Sequence, residues 1–147
     1  MRYENPPTTQ VKLRAAESDG ALSVIDLRAP AGFGGPPLHH HPFDETFCVL
    51  EGTLTFRVED DYRTATAGDV VFAPRGVAHT FANLSDAPAR YLLVCTPAGF
   101  EGYFARMAAE RAGEEPPAWA LVPGPEVTRV GPQIDPAEAA AALGGAG

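Results

Sequence analysis

Between Val11 and Cys95 the chain is cut into short β-branched and aromatic runs, none long enough to sustain a helical period. The runs are Val11–Arg14, Leu22–Leu27, Leu38–His41, Thr46–Leu50, Leu54–Glu59, Tyr62–Thr66, Val70–Ala73, His79–Leu84 and Tyr91–Cys95. Turn residues break them at Ser18-Asp19-Gly20, Gly32 to Pro37, Glu51-Gly52, Asp60-Asp61, Ala67-Gly68-Asp69, Pro74-Arg75-Gly76 and Ser85 to Pro88. With no helix between the runs, the spacing predicts an all-β, antiparallel sandwich or barrel. Within Leu54–Glu59, Leu54, Phe56 and Val58 alternate with Thr55, Arg57 and Glu59, the pattern of a strand with one face buried and the other meeting water.

After Thr96 the period changes. Thr96 can cap and Pro97 can open a helix in which Phe100, Tyr103, Phe104 and Met107 recur at i, i+3, i+4, i+7 until Gly113 stops it. That apolar stripe either packs on the outside of the barrel or partly covers its mouth. Residues 114–132 hold five prolines and are expected to run extended over the surface with Trp119 as an apolar anchor. Asp135 as N-cap and Pro136 at the first helical position start a last short helix, through about Leu143. The chain of 147 residues fits one domain: an N-terminal extension over 1–10, a barrel with its packed helix over 11–113, and a Pro-rich tail with a short helix over 114–147.

Charge narrows the partners. A formal net charge of −8 repels a phosphate backbone or an anionic bilayer, so neither nucleic acid nor membrane is expected. Met1 to Gln10 lacks the apolar core of a secretion signal and no later run is long enough to span a bilayer, which predicts a soluble, cytoplasmic protein. Cys48 and Cys95 each lie in an apolar run, far apart, and are expected as buried free thiols.

The histidines carry the chemistry. All four fall in two places, His39-His40-His41 and His79. His39 and His41 share one parity, so in extended backbone both project from the same face, while His40 projects from the other. Glu45 can join them after the turn Pro42-Phe43-Asp44, and His79 begins a strand after the turn Pro74-Arg75-Gly76. Three imidazoles and one carboxylate suit one divalent ion such as Fe, Mn, Ni, Co, Cu or Zn, with positions left for water or substrate. Phe43, Phe47, Val49, Phe56, Phe72 and Phe81 either line an apolar cavity around that ion or fill the barrel as ordinary packing.

The stretch His39-x-His41-x3-Glu45-x6-Gly52 resembles the first motif of the cupin family, and Gly68-x5-Pro74-x-Gly76-x2-His79-x3-Asn83 matches the second at every defined position. One departure is Gly34, five residues before His39 where the family's leading glycine stands six before. The resemblance covers residues 32–97, and Pro97-Ala98-Gly99-Phe100-Glu101 is similar to a subgroup of small bacterial single-domain cupins labelled quercetin-dioxygenase-like. It implies a jelly-roll barrel with short C-terminal helices, metal ligation by His39, His41, Glu45 and His79, and Glu45 doubling as general base on a substrate hydroxyl. It also implies a homodimer acting on a small aromatic or enolisable molecule, most plausibly by dioxygenation. Isomerase or cyclase chemistry on the same metal, or small-molecule binding without turnover, are the alternatives. Gly52, Gly68 and Gly76 are read as turn formers, and Asn83 as a hydrogen-bonding strand end rather than a catalyst.

Overall fold

The computed structural model describes residues 6–144. Ten strands build two antiparallel five-stranded sheets that face each other as a jelly roll. The first sheet holds β1 (Thr8–Leu13), β2 (Ser23–Ala29), β9 (Ala89–Thr96), β4 (Asp44–Glu51) and β7 (Val70–Ala73), in that order. The second holds β10 (Thr128–Arg129), β3 (His39–His40), β8 (His79–Ala82), β5 (Thr53–Val58) and β6 (Asp61–Thr66). Strict alternation explains the core: β2 turns Ile25, Leu27 and Ala29 inward, β4 turns Phe47 and Val49, and β9 turns Tyr91, Leu93 and Cys95. Glu45 shares the parity of Phe47 and Val49, which puts a carboxylate on an apolar inner face.

Tight turns hold the strands in register. Gly52, Gly68 and Gly76 all take positive φ, as their turns require. At Gly35 the constraint is steric as well, since a Cβ there would lie 1.6 Å from the Phe81 carbonyl oxygen. Asn83 is fully buried, donating from Nδ2 to the carbonyls of Ala29, Pro30 and Ala87 and accepting from the Ser85 amide and hydroxyl, the strand-end role expected of it. Both cysteines are free; Cys95 is buried and Cys48 half-buried.

Several features depart from the sequence reading, the first being that β1 starts at Thr8, inside the expected N-terminal extension over 1–10. A short helix, α1 (Ala15–Ser18), interrupts the first hairpin. The long helix, α2 (Glu101–Ala112), begins later than expected: Phe100 is the N-cap, the Thr96–Pro97 peptide is cis, and the buried Glu101 carboxylate accepts from the amides of Gly99 and Ala15. The segment 114–132 runs largely exposed over the surface, as expected, but it is also stitched to the second sheet. Leu38 exchanges hydrogen bonds with Val130 and Pro132, and Gln133 Nε2 donates to the Gly35 carbonyl, so β10 extends the second sheet beside β3.

Beyond it, α3 (Pro136–Gly144) starts with Asp135 accepting from the Ala137 amide, and Ile134 and Ala139 pack with Ala82 and Tyr62 on the sheet's outer side. Thr55, paired with Ala82, is therefore buried where the outer face of β5 had been expected to meet water. Trp119, in a 3-10 turn over Ala118–Leu121, is half-buried under the Arg14 guanidinium. No helix among the described residues is long and apolar enough to cross a membrane.

Candidate metal centre

His39 and His79 are direct cross-strand partners on β3 and β8, so their side chains stand on the same face of the second sheet. His41 follows β3 by one residue, and Glu45 reaches the same point from β4 in the opposite sheet. One ligand atom from each of the four lies within 4.8 Å of all the others. The turn that delivers His79 is tied to the strand that delivers Glu45: the Arg75 guanidinium and amide both donate to the Asp44 carboxylate, and the Gly76 amide donates to the His41 carbonyl.

Each imidazole is pinned from behind. Nδ1–H of His39 donates to the Pro37 carbonyl at 2.7 Å, that of His41 to Phe43 at 2.9 Å, and that of His79 to Val77 at 3.0 Å. With Nδ1 committed as donor, Nε2 is the atom each ring offers to the centre. His41 is further clamped by Phe43, stacked on it at 3.7 Å with planes 6° apart. Nε2 of His41 and of His79 lie 2.6 and 2.7 Å from the same Glu45 Oε1. Contacts that short between nitrogen and carboxylate call for a positive charge between them, supplied by a proton or by a metal ion. Metal–nitrogen bonds of about 2.0–2.1 Å place the ligands of one ion within about 4.2 Å of each other, so the four donors, grouped within 4.8 Å, would draw together slightly around such an ion.

The electrostatics follow from burial. Desolvation pushes the Glu45 carboxyl up, but hydrogen bonds from His41 and His79 outweigh it and hold it down at about 2. Burial likewise opposes a charge on His79, yet the adjoining Glu45 raises its pKa above the ordinary value. His39 has no such partner, and burial takes it down to about 4. Cys95 pairs with Glu45 across β4 and β9, and burial raises its thiol well above the usual range; it is not one of the four grouped donors.

His39, Glu45 and His79 open onto a cavity of about 330 Å³. Of the six apolar residues expected around the ion, Phe47 and Phe81 line it. Phe43 stacks on His41, while Val49 and Phe56 pack in the core without lining the cavity. Phe72 requires correction: it is 53% exposed on the outer face of β7, because it shares the parity of Val70 while Val71 and Ala73 point inward. His40 faces away from the ligand group and pairs with Thr128 of β10.

Sequence reasoning missed much of the far wall. Tyr91 and Leu93 have the inward parity of β9 and were legible in principle, whereas Pro125, Val127 and Arg129 arrive from a segment without periodicity. Phe100, Tyr103, Phe104 and Met107 of the helical stripe all line the cavity, joined there by Arg106.

Comparison with known proteins agrees with this fold. Residues 27–95 match the family model described as Cupin domain. A cupin-like protein from Thermotoga maritima superposes with a TM-score of 0.61 at 16% identity, covering 91% of this chain and 82% of that one. KdgF from Halomonas sp. gives 0.57 at 17% identity, covering 66% and 84%. Among curated proteins, 84 residues are 36% identical to part of Endoribonuclease YbeY of Myxococcus xanthus. That match takes in 57% of this chain but spans only 28% of the curated relative's length.

Proposed function

We propose that this chain, a cupin fold with its family match over residues 27–95, is a metal-dependent enzyme acting on a small aromatic or enolisable molecule. The observation that carries the reading is a set of four donors, three pinned from behind, of which His39, Glu45 and His79 open onto a largely apolar cavity. A divalent ion held by His39, His41, Glu45 and His79 would polarise a substrate oxygen as a Lewis acid and, if redox-active, would support reaction with O2.

The chain's own residues supply the rest. Phe47, Phe81 and Phe104 exclude water and pack against a flat substrate body. Glu45 is positioned to take the proton from an enol or phenol hydroxyl, leaving an electron-rich enolate or phenolate. Its known hydrogen bonds fall on Oε1, which leaves Oε2 to receive that proton. Its present low pKa depends on hydrogen bonds from His41 and His79. A divalent ion beside it would likewise favour the ionised form, so Glu45 would meet the substrate as a carboxylate.

Dioxygenation is the favoured reaction because both atoms of O2 enter the product and no external reductant is needed. Oxygen consumption, followed beside substrate absorbance over a panel of phenolic and enolisable compounds, tests this. Uptake matched to substrate loss supports it. Substrate loss without oxygen uptake would turn the reading to isomerase or cyclase chemistry, and saturable binding without turnover to a binding module. A ribonuclease reading finds no support, since the shared stretch is a minor part of the M. xanthus protein and a net charge of −8 disfavours RNA.

A further inference from the structure

Arg129 stands one strand from the proposed ligands, and nothing in the metal site accounts for it. It is the direct antiparallel partner of His39, which is in turn the partner of His79. Directly paired residues project from the same side of a sheet, with Cα atoms about 4.5–5.5 Å apart. Arg129, His39 and His79 therefore form one row across β10, β3 and β8, and Arg129 lines the same cavity. A second guanidinium, Arg106 of α2, lines the cavity as well. One of its nitrogens donates to the Ala120 carbonyl, and among the described residues neither arginine is paired with a carboxylate. By contrast, Arg75 and Arg90 on the outside are paired with Asp44 and Asp26.

Among the described residues Glu45 is the one acidic group lining the cavity, against two arginines, in a chain with a net charge of −8. Arg129 is solvent-exposed and Arg106 half-buried, so their charge faces the cavity from its wetter side, and a divalent ion would make the cavity more positive still. An isolated apolar pocket would gain nothing from such charge; an anion would.

We propose that the cavity selects a small organic carboxylate, with Arg129 as the residue that recognises the carboxylate group and Arg106 reinforcing the field from the opposite wall. The inference rests on the reading of the cavity as a substrate site. The planar guanidinium takes a carboxylate in two parallel hydrogen bonds, the apolar body lies against Phe47, Phe81 and Phe104, and a second substrate oxygen faces His39, Glu45 and His79.

The test uses the full chain as purified and after EDTA treatment, with trans-cinnamate and its neutral analogue cinnamamide as probes. Calorimetric titration gives affinity, and elemental analysis gives metal content on the same samples. The wild-type protein is expected to bind cinnamate about tenfold more tightly than cinnamamide, the worth of one charge-assisted contact. Arg129→Gln should bring the two within about threefold while metal content stays unchanged, and Arg129→Lys should keep part of the preference.

Equal binding of the two probes by wild type, or no binding of either at millimolar concentration, would overturn the inference. So would a preference that survives in Arg129→Gln, since Arg129 would then not be the group that recognises the carboxylate. The two readings fail separately. Metal present with no charge preference sinks the carboxylate site and leaves the metal enzyme standing, whereas an Arg129-dependent preference in protein that holds no metal does the reverse.

Discussion

His39, His41 and His79 each spend Nδ1–H on a backbone carbonyl two residues away in sequence, so the local chain fixes the tautomer that aims Nε2 inward. That arrangement was partly legible: parity alone separated His39 and His41 from His40. Parity also shows that Phe72 lies outside, but only once the register of β7 is known. Arg129 gave no signal, because its meaning comes from a pairing with His39 across ninety positions of sequence. The half-buried His39, which has no carboxylate hydrogen-bonded to it, also predicts a pH effect. Unfolded, it takes up a proton near 6.5, and folded only near 4, so between those values the unfolded state binds more protons. Metal-free protein should therefore lose the His39 contribution to stability as pH falls from 6.5 to 4. Denaturant titration of metal-free wild type and His39→Asn across that window should show the variant declining less steeply; parallel curves would contradict the assignment.

At the scale of elements, most strands were read to within two residues because alternation is a strong local signal, as in Leu54, Phe56 and Val58; β1, which starts three residues early at Thr8, and the two-residue β10 were the exceptions. The start of α2 was misplaced because Thr96 and Pro97 carry capping chemistry, yet the Glu101 carboxylate caps the amide of Gly99 and the helix begins there instead. The sequence left open whether the apolar stripe of α2 packs outside the barrel or covers its mouth. Phe104 does both: it is buried against the core and lines the cavity. Met107 also lines the cavity but is only half-buried, so it separates the two roles. Met107→Ala should change affinity for an aromatic ligand at least threefold, while stability falls by only about 1 kcal/mol, less than for a fully buried methionine. Calorimetric binding beside a denaturation curve checks this, and a stability change with unaltered binding would assign the stripe to packing alone.

At the scale of the molecule, the two-sheet core was legible from spacing, whereas the C-terminal layer was not. Its prolines and scattered apolar residues have no period, and Ile134 becomes core only because Ala82 and Tyr62 lie beneath it. Among the described residues nothing covers the outer face of the first sheet at its β7 edge, where Val70 is 50% and Phe72 53% exposed, with Leu50 of β4 exposed nearby. We propose that two copies pair through this face, which would shelter both the apolar side chains and the free strand edge. Light scattering should give twice the chain mass for wild type and the single-chain mass for Phe72→Asp; a wild-type monomer at micromolar concentration would count against pairing. The account as a whole stands on the four converging donors, and metal content tests them most directly. Elemental analysis of wild type and of the single alanine variants at His39, His40, His41 and His79, all purified without added metal, should find near-stoichiometric divalent metal in wild type. His40→Ala should keep its metal, with at most about a 10- to 100-fold loss of affinity, and the other three should be depleted. An empty wild-type protein that also fails to take up metal on titration, or a loaded His41→Ala beside an empty His40→Ala, would contradict it.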